Sequence, residues 1–216
     1  MSRLWPFRRE PRSDAERAEP QLAVAPPPPF RSWAMTDMLR RRLGDRPWRV
    51  LDLGSVNTVN FRFFTDRGVY AVEELFATIA PCRAGGLLDV GCMGRLPNLL
   101  AFRAGTRFDA VFAWDLLDYV GAAGAAVLGQ RLAAYCHPRT LVYAAISREP
   151  RIPPQPGRWE VVDEQTIRHL PSNQPATFAA PRFVDATLQR ALSAFRVHKS
   201  YLLKQGLQEY LLEPAG

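Results

Sequence analysis

The stretch Trp48-Arg-Val-Leu-Asp-Leu-Gly-Ser-Val-Asn-Thr-Val-Asn60 decides how the rest of the chain is read. Val50, Leu51 and Leu53 form a short apolar run interrupted only by Asp52, and a turn at Gly54-Ser55 leads into a stretch that can start a helix. An apolar strand, a glycine turn and a helix form the first unit of a doubly wound α/β domain, whose ligand edge lies at the strand's carboxyl end. Such a strand delivers a carboxylate and a bare backbone turn to that edge, where a ligand can come close.

Outward from this stretch, 216 residues suffice for one well-packed domain and not comfortably two. The apolar content of 47% is that of an ordinary globular protein, but nineteen prolines exceed what one compact core takes up. Residues 1–30 mix Arg, Glu, Ala and Pro and end in Pro26-Pro-Pro-Pro29 before Phe30. They hold too little apolar surface to offset their ordering entropy, so they are expected to form a disordered Arg/Pro-rich arm with a polyproline II spacer. Residues 31–216 are then the folded domain.

The formal charge of +7 is not concentrated: residues 1–46 carry 10 Arg against 6 acidic residues, which leaves +3 for the other 170. A nucleic-acid footprint is a concentrated basic face, so that partner is disfavoured. Cys82, Cys92 and Cys136 are odd in number, widely spaced and without a CxxC pair, which fits reduced thiols with no disulfide framework and no zinc site. His137, His169 and His198 add no metal-ligand spacing. No secretory signal and no run long enough to span a bilayer is present, so the expectation is a cytoplasmic protein off the membrane.

The apolar pattern places a helix from Trp33 to Leu43, a strand over 48–53, a helix over Asn57–Arg67 and a strand over Val69–Val72 that ends in Glu73-Glu74. Leu75–Ile79 reads as helix, and Leu96–Phe102 as a third strand or a helix. Arg107–Asp115 is nearly all apolar from Ala110 to Trp114, as a strand covered on both faces should be. A helix over Leu116–Ala134 and a strand over Leu141–Ile146 follow. Residues 149–180 are a long proline-rich loop with a short β element at Trp159–Val162. After a helix over Pro181–Ala194, Phe195–Leu203 and Leu207–Leu212 form a hairpin that turns at Gly206.

Over roughly residues 32–213 the chain resembles the class I S-adenosylmethionine-dependent methyltransferases. Val50-Leu-Asp-Leu-Gly54 looks like the family's first motif. Glu73, 21 positions after Asp52, is similar to the acid that binds the ribose hydroxyls, with Glu74 as its alternate. Phe108-Asp-Ala-Val-Phe-Ala-Trp-Asp115 resembles the fourth motif, and the terminal hairpin resembles the family's antiparallel strand pair. The resemblance implies an α/β, Rossmann-like, doubly wound and mostly parallel seven-stranded sheet with a C-terminal antiparallel hairpin. It implies S-adenosylmethionine as cofactor, held by Asp52, Gly54, Ser55, Asn57, Glu73, Ala113 and Trp114. It also implies methyl transfer to a small-molecule or protein acceptor, with Asp115, Asp118 and Tyr119 as catalytic candidates and Asp115 as the leading base.

Leu87-Leu-Asp-Val-Gly-Cys-Met-Gly94 matches the first motif better locally, but only 20 positions separate Asp89 from Asp109. One strand–helix–strand unit takes about 30 residues, whereas Asp52 to Asp115 spans a workable 63. Residues 87–94 are therefore read as a loop or helix start.

The first motif departs from the family pattern two and four positions beyond its first glycine, where Val56 and Thr58 stand. Glycine there permits φ > 0 and close backbone approach, and a β-branched residue tolerates neither easily. Either Ser55 and Asn57 take over the contacts or cofactor binding is weakened, so a catalytically inactive methyltransferase-like binding or assembly module is the alternative. A nicotinamide-dependent oxidoreductase is disfavoured by the absent GxGxxG and by the terminal hairpin.

Overall fold

The computed structural model describes residues 25–42, 47–84, 87–96, 98–181, 183–204 and 206–216. The disorder expected for residues 1–24 and the helix stop at Gly44 lie outside the described residues. In chain order the elements are β1 (Phe30–Arg31), α1 (Trp33–Arg42), β2 (Trp48–Asp52), α2 (Thr58–Thr65), β3 (Gly68–Val72), α3 (Leu75–Ile79), β4 (Arg83–Ala84), β5 (Leu87–Leu88) and α4 (Val90–Arg95). They continue with β6 (Phe108–Trp114), α5 (Leu117–Ala133), β7 (Cys136–Ser147), β8 (Arg151–Ile152), β9 (Arg158–Val161), β10 (Thr166–Leu170), β11 (Phe178–Ala179), α6 (Asp185–Ala191), β12 (Phe195–Leu202) and β13 (Leu207–Pro214).

Side-chain alternation along the central strands builds two cores, one on each face of a single sheet. Val111 and Ala113 of β6 with Val142, Ala144 and Ile146 of β7 face α5 and α6. Ala110, Phe112 and Trp114 with Leu141, Tyr143 and Ala145 face α1, Phe64 of α2 and the β9–β10 ribbon. A two-residue period delivers each strand to both layers, so both faces must be covered. The sheet order is β12-β13-β7-β6-β2-β3. Its ladders are parallel from β3 through β7 and antiparallel at β13, so only β13 runs against the others.

The architecture is α/β, Rossmann-like and doubly wound, as expected, but the central sheet has six strands among the described residues where seven were expected. The difference lies in residues 75–105. Their apolar runs are too short for a sheet strand, and they form α3, a 3-10 turn at Ala80–Cys82, the two-residue β4–β5 ladder and α4. A second correction belongs to the same segment. Cys82 and Cys92, expected as free thiols, are joined in a disulfide with Cα atoms 5.5 Å apart, and Cys136 is the free cysteine. Asp89 caps α4 by accepting the Cys92 N–H at 3.0 Å, so the better-looking motif copy is a helix start, as its spacing required.

Two caps fix the layers. Glu209 of β13 is fully buried and accepts the Trp33 and Ala34 N–H groups at 3.0 and 3.1 Å, together with the Tyr143 hydroxyl at 2.9 Å. A carboxylate there satisfies otherwise orphaned donors at the positive end of α1. Asn57 caps α2, its Oδ1 accepting the Asn60 N–H at 2.8 Å, a contribution of about 1 kcal/mol. Phe30–Arg31, at the end of the segment read as an arm, pairs with β10, so the ordered chain extends into that segment. The short β element at β9 acquires β10 as its partner, and with β1 they form a three-stranded sheet that the sequence pattern did not reveal.

Thiol titration of the denatured, unreduced chain is expected to report one reactive cysteine, rising to three after reduction. A value of three before reduction contradicts the Cys82–Cys92 bond.

Candidate active site

Asp52 ends β2 with a side chain that solvent does not reach. Its Oδ1 accepts the Gly54 N–H at 2.8 Å and the Trp114 indole N–H at 2.6 Å. Its Oδ2 accepts the Tyr70 hydroxyl at 2.7 Å and an Asn60 amide N–H at 3.2 Å. Burial pushes the Asp52 pKa up, and these donors oppose the shift. One carboxylate thereby ties together the turn after β2, the end of β6, β3 and α2.

Trp114 is the second fixed point. It sits at positive φ (48°), where a bulge interrupts the β6–β7 ladder. For a bulky residue that backbone is strained, and surrounding contacts must hold it. The Asp52 bond does so from one side. On the other, Trp114 stacks on Trp159 with centroids 5.7 Å apart and planes 7° from parallel, and Trp159 stacks in turn on His169 at 4.1 Å. Gly54 is needed because of this indole: a Cβ at position 54 would lie 2.8 Å from Trp114 Cδ1.

The loss of glycine at 56 and 58 is accommodated by a different turn. Among the described non-glycine residues positive φ occurs at Leu100 and Trp114, so neither Val56 nor Thr58 adopts it. Val56 points outward, 60% exposed, and its N–H is accepted by Glu74 Oε1 at 3.1 Å. Asn57 is extended (φ −146°) and spends its side chain on the α2 cap and on the Trp159 carbonyl at 3.1 Å.

A cavity of about 210 Å³ opens at the carboxyl ends of β2 and β6. Of the residues expected to contact cofactor, Gly54, Ser55, Ala113 and Trp114 line it, and so does Asp115. Asp52 lies beneath them. Asn57 and Glu73 do not line it; the Glu73 carboxylate accepts the Thr78 hydroxyl at 2.9 Å, and Glu74 takes the position on the wall. Phe76, Gln155, Gly157 and Trp159 also form part of the wall, and sequence reasoning does not single them out as site residues. The length of the 149–180 loop is the one signal for the last three.

Asp118 and Tyr119 stand behind this wall. Asp118 Oδ2 accepts the Ser147 N–H at 2.8 Å, while its Oδ1 is buried without a hydrogen-bond partner. The Tyr119 hydroxyl donates to the Gln155 carbonyl at 3.1 Å, and its ring meets Phe76 edge-on at 5.4 Å. Burial raises the Asp115 carboxyl to about 6 against the indole of Trp159 and the backbone N–H of Gly157. It raises Asp118 further, to about 8, opposed by the Ser147 N–H and reinforced by the Asp115 charge. Near neutrality the pair therefore holds one ionised and one protonated carboxyl, an arrangement suited to a base with an adjacent acid. Among the described residues no Lys, Arg or His lines the cavity, and the Glu74 and Asp115 carboxylates on its wall favour a cation. Among them, too, no group of three or more His, Cys, Asp or Glu is placed to hold a metal ion. No described helix is long and apolar enough to cross a membrane.

The sheet order, with β2 and β6 central and a terminal antiparallel hairpin inserted beside β7, decides the fold. It is a Rossmann-like α/β fold whose mostly parallel sheet takes in a terminal antiparallel strand. The chain is similar to Streptomyces venezuelae DesVI at 16% identity, with a TM-score of 0.47 over 84% of this chain and 89% of that one. It is similar to Burkholderia thailandensis 1,6-didemethyltoxoflavin-N1-methyltransferase at 15% identity and TM-score 0.46, over 85% and 79% of the two chains. It is similar to the magnesium protoporphyrin IX methyltransferase of Synechocystis at 10% identity and TM-score 0.46, over 84% and 77%. No family model and no curated protein matches the sequence.

Asp115 and Asp118, raised by burial as Asp52 and Glu209 also are, contribute a pH dependence of stability. A folded-state pKa above the unfolded value adds stability that is complete below about pH 4 and is lost as pH rises through about 6 and 8. Asp118→Asn removes the larger share of that dependence. In urea unfolding, the wild type should weaken relative to Asp118→Asn between pH 4 and 8 by on the order of a few kcal/mol, since each tenfold change in proton affinity is worth about 1.4 kcal/mol. Parallel pH profiles would contradict the burial of a protonated Asp118.

Proposed function

We propose that the cavity binds S-adenosylmethionine and that the protein transfers its methyl group to a small-molecule or protein acceptor. The observation that carries this reading is the placement of Gly54, Glu74, Trp114 and Asp115 around one opening at the carboxyl ends of β2 and β6. The lining fits that cofactor's charge: the carboxylates of Glu74 and Asp115, with no basic side chain among the described residues. When bound, S-adenosylmethionine supplies an electrophilic methyl on a sulfonium.

The chain's own residues then have separable tasks. Glu74 accepts hydrogen bonds from the ribose diol in place of Glu73, because its carboxylate is the one on the cavity wall. The Gly54 backbone and the Asp115 carboxylate position the cationic end. Asp115, kept largely ionised at neutral pH, accepts a proton from an acceptor that must lose one. Asp118 and Tyr119 act through others: Asp118 through its charge coupling to Asp115, and Tyr119 by holding the Gln155 segment over the site. Since methyl transfer is mainly alignment, these positioning contacts bear directly on the rate.

A second reading is a methyltransferase-like binding module without catalysis. It rests on Trp114, whose indole already packs onto Gly54 where a ligand would approach, and on a cavity of about 210 Å³. That volume falls below the roughly 300–1,000 Å³ of small-molecule sites.

Calorimetric titration with S-adenosylmethionine and S-adenosylhomocysteine separates the two. Binding is expected, weakened about tenfold by Glu74→Ala, a loss of about 1.4 kcal/mol, and less than twofold by Glu73→Ala. No heat from either ligand at millimolar concentration ends the enzyme reading, and the reverse ranking of the two glutamates overturns the assignment of the ribose acid.

A further inference from the structure

One wall of the cavity rests on a helix too short to hold itself. Glu74, Phe76 and Ala77 line the opening, and α3, which follows Glu74, has five residues and no side-chain cap. A helix of that length is unstable alone in water, so α3 depends on what it is fastened to. Its start is fastened to the sheet, where the Glu73 N–H donates to the Asp52 carbonyl at 2.8 Å. Leu75 and Ile79 seat it on the core, and both are fully buried. Its far end runs through the 3-10 turn Ala80–Cys82 into the Cys82–Cys92 bond.

The helix that carries Cys92 is anchored elsewhere. Met93 of α4 is fully buried, and Arg131 of α5 donates to the Gly94 carbonyl at 2.8 Å. The disulfide therefore ties the far end of the cavity-wall helix to α5 by way of α4. Beside it run one main-chain hydrogen bond, from the Asp89 N–H to the Cys82 carbonyl at 2.8 Å, and the two-residue β4–β5 ladder. Next to Cys82, the Arg83 guanidinium lies over the Phe76 ring at 4.6 Å and the Tyr119 ring at 5.8 Å. A displacement at Cys82 is thereby passed to a side chain on the cavity wall.

We propose that Cys82–Cys92 is a thiol–disulfide modification site, at which a dithiol reductant loosens the α3 wall and weakens binding in the cavity. The effect on binding rests on the reading of the cavity as a cofactor site; the loosening of the wall does not. Cys82 is buried and Cys92 is half-buried, so the reductant's thiolate attacks the Cys92 Sγ. The bond between the two cysteines breaks, Cys82 leaves and takes up a proton, and Cys92 is held in a mixed disulfide. The reductant's second thiol then displaces Cys92, which also ends protonated. The reductant is oxidised to its own disulfide, and two electrons and two protons have passed to the cysteine pair.

Amide hydrogen exchange and calorimetry of the full chain, with and without dithiothreitol, test this. Reduction should speed exchange at residues 75–83 about tenfold or more and leave β6 unchanged, because opening is local. It should also weaken S-adenosylhomocysteine binding about fivefold. The double variant Cys82→Ser, Cys92→Ser should match the reduced chain and ignore dithiothreitol. Unchanged exchange at 75–83 overturns the proposal, and so does equal acceleration at β6, which would make the bond a staple for the whole domain. Unchanged affinity despite a loosened wall, or a reductant response that persists in the double variant, overturns it as well. Should the double variant fail to fold, the wild type with and without reductant decides. If S-adenosylhomocysteine binds in neither state, the cofactor reading fails by itself, and exchange at 75–83 then upholds or refutes the modification site.

Discussion

Four donors converge on one carboxylate that water does not reach, and the candidate site is organised by that convergence. Asp52 holds the turn through Gly54, the end of β6 through Trp114, β3 through Tyr70 and α2 through Asn60. A buried carboxylate is costly unless paired or fully hydrogen-bonded, and here each oxygen has two partners. The arrangement is consequently cooperative: withdrawing the acceptor leaves buried donors unpaired on four segments at once.

This clamp also accounts for the departures in the turn. Gly54 is required by the closeness of the Trp114 indole, not by a left-handed backbone, so glycine is dispensable at 56 and 58. Val56 points to solvent while Glu74 takes its N–H. Trp114, forced to positive φ, carries Asp115 past the end of the sheet and into the cavity wall. The aromatic stack from Trp114 through Trp159 to His169 ties the proline-rich 149–180 segment to the same centre. Rigidity around the cavity is thus built from the protein's own hydrogen bonds and ring contacts.

Much of the fold is legible in the apolar pattern. β6 is a continuous buried run, β2 and β7 are buried over Val50–Asp52 and Thr140–Ile146, and the β12–β13 hairpin turns at Gly206, so each can be located from the sequence. The segment 75–105 cannot, because two-residue strands carry no period, and the meeting of Cys82 with Cys92 depends on how α3 and α4 pack. β10 is hidden by its setting in a proline-rich stretch. At the site, sequence spacing locates the cavity edge but not side-chain direction. Glu73 and Glu74 are adjacent in sequence, and only the folded chain shows that Glu74 lines the cavity and Glu73 does not. Asn57 tolerates a left-handed backbone, yet its capping chemistry prevails. Glu209 gives no signal, since its role requires α1, β7 and β13 to be assembled.

The most direct measurement is equilibrium urea unfolding of Asp52→Ala against the wild type at neutral pH. Leaving Tyr70, Asn60, Gly54 and Trp114 without their acceptor should cost about 3–5 kcal/mol, since each buried donor left unsatisfied costs about 1–3 kcal/mol. A loss below about 1 kcal/mol, the ordinary level for a surface substitution or a single weak hydrogen bond, would contradict the role of Asp52 as the organising centre.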